Sequence, residues 1–170
     1  MITLRSPAPS DRERIWAYRA EFLRAGDSLD GTAALDRAES FAEWFSAVED
    51  NRRAESVRSG MVPATSFLAE DAASSLVGMI QLRHCLNDYL LHFGGHIGYS
   101  VRPSQRRKGY ATEMLRLVLE EARRLGLKQV LVTCDAANEA SRRTIRTNGG
   151  VLDGAIAEGG RLTQRYWIAL

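Results

Sequence analysis

The segment VRPSQRRKGYATEML, residues 101–115, places a cluster of basic residues between two different sequence patterns. Residues 94–101, which lead into it, read as a strand. Beyond it, apolar residues fall on one face of a helix and are followed by Gly126; they are Met114, Leu115, Val118, Leu119, Ala122 and Leu125. The segment therefore predicts a junction at which strand 94–101 leads into a helix over 109–125.

Such a junction favours the binding of an anion. The first N–H groups of a helix have no intrahelical partner, and the helix dipole adds a partial positive charge there. Gly109 has no side chain and Ala111 has a small one, so a phosphate can approach the main chain closely. Charge and a hydroxyl group are available from Arg106, Arg107, Lys108 and Thr112. The segment is neither a Walker P-loop nor a G-x-G-x-x-G motif, but its position predicts a phosphate site.

The remaining sequence predicts one mixed sheet with helices on its faces, in the α+β class. Strand-like stretches occur at 1–5, 65–70, 76–83, 94–101, 128–134, 150–156 and 162–169. Helical stretches follow Ser10, include the apolar stripe of residues 41–48, and cover 109–125 and 138–147. We expect an antiparallel meander over 64–101 and a parallel, right-handed strand–helix–strand unit over 94–134.

Three local features carry separate expectations. Ser10 and Glu13 have the spacing of a capping box at the start of the first helix. Its apolar face is expected to contain Ile15, Tyr18, Phe22 and Leu23, and Gly26 is expected to end it. Cys85 and Cys134 lie in strand-like sequence with no metal-ligand spacing, which predicts two buried, reduced thiols and no metal site.

Composition predicts one globular domain over residues 1–170. The chain has 45% hydrophobic and 26% charged residues and a formal net charge of +2, which is too balanced for general nucleic-acid binding. Neither a signal peptide nor an apolar stretch of membrane-spanning length is visible. We therefore expect a cytoplasmic protein with no membrane or nucleic-acid partner, as a monomer or a homodimer.

The motif R-x-x-G-x-A, formed by Arg106, Gly109 and Ala111, resembles the signature of the GNAT superfamily of acyl-CoA-dependent N-acetyltransferases. The next strand is followed by Asn138 and, three residues later, by Ser141, a spacing similar to that of the branch containing ribosomal-protein N-acetyltransferases. The glycine turn at 148–150 also resembles that branch.

This resemblance implies a twisted sheet of six to seven strands and four helices, in which the fourth and fifth strands separate. It implies acetyl-CoA as co-substrate and no metal. The pantetheine arm would bond to the main chain near Tyr99 and Val101 and would approach Asn138 and Ser141. The pyrophosphate would lie on residues Arg106, Arg107, Lys108, Gly109, Tyr110, Ala111 and Thr112.

The catalytic residues are less clear, because Ile145 occupies the position where many members carry a proton-donating Tyr. Ser141 is the nearest substitute as a hydrogen-bond donor to the departing sulfur. Strand 94–101 lacks the Glu that some members use as a base, so His96 is the best candidate by residue type. Other candidates are His84, as a base or a substrate contact, His92, as a base, and Tyr166, as a proton donor. A chain of water molecules leading to a distant group is a further possibility.

Three functions remain open at this point. The first is an N-acetyltransferase that acts on a primary amine of a small molecule or a peptide. The second is an acyl-CoA-binding module without turnover, which the missing Tyr and Glu allow. The third takes the basic cluster at 106–108 as a nucleic-acid contact, although no aromatic residues suited to base stacking are interleaved with it.

Overall fold

The computed structural model describes all 170 residues. Seven strands and four long helices follow one another along the chain in the predicted order. The strands are β1 (Thr3–Arg5), β2 (Ala64–Glu70), β3 (Leu76–Arg83), β4 (Ile97–Val101), β5 (Gln129–Asp135), β6 (Val151–Glu158) and β7 (Arg161–Ala169). The helices are α1 (Arg12–Ala25), α2 (Phe41–Asp50), α3 (Tyr110–Arg124) and α4 (Glu139–Thr147).

All seven strands form one sheet, in the order β1-β2-β3-β4-β5-β7-β6. Every neighbouring pair is antiparallel except β4 and β5, which are parallel and are connected by α3. The antiparallel meander from β2 to β4 and the parallel β4–α3–β5 unit confirm the predicted fold class.

The sheet is almost interrupted between β4 and β5. Five residue pairs join β3 to β4 and seven join β5 to β7, whereas β4 and β5 share the single pair Ile97–Val132. Beyond that pair the two strands separate, as predicted. We call the opening between residues 98–101 of β4 and 133–135 of β5 the strand gap.

Two hydrophobic clusters cover the two faces of the sheet. One lies under α3 and α4 and includes Met114, Val118 and Ile145. The other lies under α1 and α2 and includes Tyr18, Phe22 and Trp44. Because each face of the sheet is covered by its own pair of helices, the strand gap is an opening between the α1–α2 side and the α3–α4 side of the sheet.

Helix α1 does not begin with the predicted capping box. A 3₁₀ turn at Pro9–Asp11 precedes it, and Asp11 takes the role assigned to Ser10 and Glu13. The Asp11 carboxylate accepts hydrogen bonds from Ala8 N–H at 2.8 Å and from the Arg5 guanidinium at 2.6 and 2.7 Å. A charge-assisted bond to Arg5 is stronger than any bond a neutral hydroxyl can offer, so the turn forms around Asp11.

Three smaller expectations were also wrong. Leu23 is 50% exposed, because it lies at the edge of the apolar face of α1. Cys85 is exposed, since it lies beyond the end of β3, while Cys134 is buried as predicted; both thiols are free. Strand β4 begins at Ile97 and not at Gly94, because Leu90–Gly94 forms a single π-helical turn.

Candidate active site

The start of α3 presents an uninterrupted row of free main-chain N–H groups. None of the six amides from residue 107 to residue 112 donates a hydrogen bond within the protein. Arg107 and Gly109 both have left-handed backbones, with φ of 66° and 81°. Alternating left-handed and right-handed residues turn successive N–H groups toward one side and form an anion-binding nest. The main chain here leaves several N–H groups free, as the predicted phosphate site requires; we call residues 107–112 the amide nest.

The space above the amide nest is open. A Cβ atom added to Gly109 would meet no other atom within 4 Å. Lys108 and Arg107 are exposed beside it, and the Lys108 ammonium bonds only to Gln105 Oε1, at 2.7 Å. Tyr110, Ala111 and Thr112, in the first turn of α3, are half-buried and form the rest of this surface.

Arg106 differs from its two basic neighbours, because its guanidinium is already in contact with other groups. It forms an ion pair with Asp27 at 2.8 Å, donates from Nε to the carbonyl oxygen of Val101 at 3.2 Å and lies over the ring of Phe22. Arg106 therefore holds the basic loop against α1 and β4, which was not anticipated from the sequence.

The main chain of β4 exposes unpaired polar groups to the strand gap. Arg83 N–H bonds to His96 O and Arg102 N–H bonds to Val77 O, so the even-numbered residues of β4 direct their main-chain groups toward β3. In a strand the odd-numbered residues then face the other side. The N–H groups of Tyr99 and Val101 consequently point into the strand gap, at the place where the resemblance implies an amide-bearing ligand arm.

On the α4 side of the strand gap, the hydroxyl groups of Tyr99 and Ser141 form a hydrogen bond of 2.7 Å. Burial raises the pKa of Tyr99, although its bond to Ser141 acts in the opposite direction. The Cys134 thiol lies beside the same Ser141 hydroxyl, and burial raises its pKa as well. Asn138 caps α4 by accepting a hydrogen bond from Ser141 N–H at 3.0 Å. Sequence reasoning assigned Tyr99 only a main-chain role and missed this hydroxyl pair.

His96 lies at the point where β4 and β5 meet, but its ring is occupied. Its main-chain N–H donates to Leu131 O at 2.7 Å, and its ring Nδ1 accepts from Leu131 N–H at 2.9 Å. Burial, followed by the charge of Arg83, lowers the pKa of His96 from 6.5 to about 4. Because Nδ1 accepts, Nε2 carries the proton in the neutral ring. In this geometry His96 has no free lone pair with which to act as a base.

The other predicted side chains lie outside the strand gap. His84 bonds to Thr65 Oγ1 at 2.8 Å beside β2, and burial lowers its pKa. His92 bonds to Asp88 O at 2.7 Å on the π-helical turn. Tyr166 is fully buried on β7, which β5 separates from β4, and its hydroxyl donates to Gln164 at 2.7 Å.

On the face opposite α3 and α4, a cavity of about 260 Å³ opens beside the strand gap. We call it the acceptor cavity, because a second substrate entering there would meet the end of a ligand arm lying in the gap. It is lined by Asp30, Tyr89, Phe93, Thr133, Cys134, Asp135, Glu158, Arg161 and Thr163. These residues come from four separate connections and strand ends, so no local sequence pattern indicated it.

Metal-binding clusters and membrane-spanning helices are both absent from the structure. No group of three or more His, Cys, Asp or Glu side chains is placed to bind a metal ion. No helix is both long and apolar enough to span a membrane. The amide nest, the open space at Gly109 and the free N–H groups of Tyr99 and Val101 fit a diphosphate followed by an amide-bearing arm, which is the chemistry of coenzyme A.

Comparison with solved structures supports this assignment of the fold. The chain is similar to RimL, a ribosomal L7/L12 alpha-N-protein acetyltransferase solved with coenzyme A (19% identity, 99% of this chain and 94% of that chain, TM-score 0.73). It is also similar to the spermidine N-acetyltransferase SpeG from Vibrio cholerae (18% identity, 98% and 94%, TM-score 0.69). A third similar structure is the microcin C7 self-immunity acetyltransferase MccE with acetyl-CoA and AMP (18% identity, 99% and 92%, TM-score 0.68).

Sequence comparison gives the family directly. No curated protein matches the chain significantly. However, the family model described as an acetyltransferase (GNAT) domain matches residues 1–151. With the amide nest and the strand gap, this match shows that the chain belongs to the GNAT superfamily of N-acetyltransferases and that its co-substrate is acetyl-CoA.

Proposed function

We propose that this enzyme transfers an acetyl group directly from acetyl-CoA to a primary amine of a small molecule or a peptide. The observation that carries the proposal is the strand gap, which lies between the free N–H groups of the amide nest and a cavity. Similar structures include enzymes named for spermidine and for ribosomal L7/L12, so both a small amine and a protein are represented among them. The ion pairing of Arg106 and the openness of Gly109 favour a ligand site over a nucleic-acid contact.

The chain's own contribution begins with binding and orientation. The amide nest and the exposed Arg107 and Lys108 would hold the two phosphates, and the N–H groups of Tyr99 and Val101 would align the arm along β4. When bound, acetyl-CoA supplies an activated thioester. Fixing an amine next to a reactive carbonyl is by itself a large source of rate acceleration. The free N–H of Val101 is also the nearest main-chain donor for the oxygen that becomes negative during attack.

Ser141 is our candidate hydrogen-bond donor to the sulfur of the departing thiolate. Burial raises the pKa of Tyr99 and keeps its phenol protonated, while either hydroxyl of the 2.7 Å pair can be the donor. In the orientation that we propose, Tyr99 donates to Ser141 Oγ and leaves the hydroxyl proton of Ser141 free for another acceptor. In this proposal Ser141 is the catalytic residue, and Tyr99 positions it.

We propose no histidine base. The bond between His96 Nδ1 and Leu131 N–H occupies the lone pair that a base requires, and Tyr166 and His84 lie away from the strand gap. The proton of the attacking ammonium would instead leave through water in the acceptor cavity. Such an arrangement favours a rate that rises with pH toward the pKa of the amine, which is about 10 for an unperturbed lysine-type amine.

The test is release of free thiol from acetyl-CoA in the presence of a panel of primary amines. Turnover with at least one amine, with mass-spectrometric detection of the N-acetyl product, is the expected result. Binding of acetyl-CoA by calorimetry without thiol release in the presence of any amine would contradict the proposal and would favour the non-catalytic binding module.

A further inference from the structure

The hydroxyl group of Tyr18, on the inner face of α1, is buried against the main chain of β4. It donates a hydrogen bond to the carbonyl oxygen of Ser100 at 2.9 Å. It also lies 3.1 Å from Ser100 Oγ, a contact in which either hydroxyl can be the donor. Tyr18 is 0% exposed, and burial raises the pKa of its phenol. The hydroxyl group is therefore protonated at neutral pH and remains a donor to this carbonyl.

This bond fixes a peptide unit that faces the strand gap. The carbonyl of Ser100 and the N–H of Val101 belong to one planar unit, in which the C=O and N–H bonds point in opposite directions. Ser100 directs its carbonyl toward β3, so an oxygen held there determines the direction of Val101 N–H on the side of the strand gap. Val101 N–H is the main-chain donor that the proposed function assigns to the oxygen of the thioester.

The other bonds between α1 and this region hold the residues that follow. Glu21, one turn beyond Tyr18, accepts from Arg102 Nε at 2.5 Å and from Ser104 N–H at 2.6 Å. Residues three apart lie on the same side of a helix, so both contacts come from one face of α1. The carbonyl oxygen of Ser100, in contrast, accepts a hydrogen bond from no side chain other than Tyr18. Tyr18 is therefore the side chain that sets this peptide unit.

We infer that Tyr18 is a positioning residue for acetyl transfer, which directs the N–H of Val101 at the thioester oxygen through its bond to Ser100 O. The inference rests on the proposed function, which places the thioester beside β4. Tyr18 touches neither substrate. Without its hydroxyl group the peptide unit is free to rotate, and its N–H is then misaligned with the charge that develops on the oxygen.

The test compares two variants that each remove one hydroxyl group from the same buried contact. Tyr18→Phe removes the bond to Ser100 O and keeps the aromatic ring. Ser100→Ala is the matched control, because it removes the second hydroxyl group and leaves the bond between Tyr18 and the main chain. Cooperative urea unfolding of both variants is confirmed first. A loss of activity caused only by a missing buried hydroxyl group should be similar in the two proteins.

The kinetic readout separates kcat from binding. Removal of a whole oxyanion donor costs roughly 10²–10³-fold in kcat, so we expect misalignment in Tyr18→Phe to cost about tenfold. The KM of the amine and the Kd of acetyl-CoA should change by less than about twofold, as should kcat in Ser100→Ala. Equal losses of kcat in the two variants, or an unchanged kcat in Tyr18→Phe, would overturn the inference.

Infrared spectroscopy distinguishes this inference from the function on which it depends. Acetyl-CoA with an isotopic label at the thioester carbonyl carbon is bound to each protein in the absence of an amine. A hydrogen bond to the carbonyl oxygen lowers its stretching frequency, so we expect a higher frequency in Tyr18→Phe than in the wild-type protein and in Ser100→Ala. This shift supports the inference even if no amine is acetylated, an outcome that would contradict only the proposed function. An unchanged band in Tyr18→Phe would overturn the inference even if every protein is active.

Discussion

His96 is expected to make a separate contribution to the loss of stability when this protein is acidified. His96 is 6% exposed, and its Nδ1 accepts a hydrogen bond from Leu131 N–H at the junction of β4 and β5. A protonated ring would turn a second donor toward that N–H and would leave both buried groups unsatisfied. For this reason, as well as burial, the folded protein resists protonation of His96.

The size of the effect follows from the pKa. It is about 4 for His96 in the folded protein and 6.5 in the unfolded chain. The unfolded chain therefore binds the proton first as the pH falls, and folding stability is complete above pH 6.5 and decreases from there down to pH 4. At about 1.36 kcal/mol per pKa unit, His96 should account for a loss of about 2 kcal/mol between pH 7 and pH 5.

His96→Asn is the appropriate comparison, since asparagine Oδ1 can accept from Leu131 N–H in place of Nδ1 but does not titrate. The free energy of unfolding is measured by urea denaturation of both proteins from pH 7.5 to pH 5. We expect the wild-type protein to lose about 2 kcal/mol more than the variant over pH 7 to 5. The carboxylates and His84 titrate in both proteins, so their contributions cancel in this difference.

Parallel pH curves for the two proteins would refute the reasoning, because they would mean that His96 is not a buried neutral acceptor. The same variant separates the structural role from the catalytic one. If His96→Asn keeps its stability profile but loses turnover by about 10²-fold, His96 is the general base after all.

Substitutions at four further positions test other parts of the structure. Gly109→Glu should abolish acetyl-CoA binding in calorimetry, because it places a carboxylate at the amide nest. Gly109→Ala adds only backbone strain of about 1 kcal/mol at φ 81° and should retain binding. Loss of binding in both variants would show that the backbone geometry at residue 109, and not the added charge, determines acetyl-CoA binding. Ser141→Ala should lower kcat by about 10²-fold with little change in the Kd of acetyl-CoA, and an unchanged kcat would exclude Ser141. Tyr99→Phe should give a smaller loss of kcat, because it removes only the donor that orients Ser141. Asp11→Ala should reduce the free energy of unfolding by about 2 kcal/mol in urea unfolding, because it removes the buried carboxylate that accepts from Ala8 N–H and from Arg5, while Arg5 keeps its 2.7 Å contact with Glu70. A change below about 0.5 kcal/mol would mean that the contact with Glu70 is sufficient to hold this turn.

The order of elements could be predicted because each one is encoded locally. The apolar stripe of α3 repeats at helical spacing, and Gly126 and Gly149 have the positive φ expected just beyond α3 and α4. Errors occurred where a more distant group changed the local outcome. The spacing of Ser10 and Glu13 indicated a capping box, but Arg5 and Arg14 both reach Asp11, and the turn forms around that charge instead.

The side-chain contacts of the active site could not be predicted in the same way. His96 and Leu131 are 35 residues apart, and Tyr99 and Ser141 are 42 apart, so neither bond has a local signal. A histidine on a strand gives no indication of which ring nitrogen is engaged. Residue type alone therefore favoured His96 as a base, although the fold uses its ring to join two strands.

The part of the site proposed for acetyl-CoA and the part proposed for the amine use different chemical groups. This difference explains why only the acetyl-CoA part could be predicted from the sequence. Acetyl-CoA is proposed to bind through main-chain N–H groups, which every residue possesses, so the chain needs only glycine and small residues at fixed spacing within one junction. The acceptor cavity is lined by side chains, and its carboxylates at residues 30, 135 and 158 come from three distant segments. Substituting Asp30 or Glu158 would alter the charge of the cavity without disturbing the R-x-x-G-x-A motif. A conserved donor site with a variable acceptor is therefore the expected behaviour of this architecture, and the acceptor has to be inferred from assembled charge and volume.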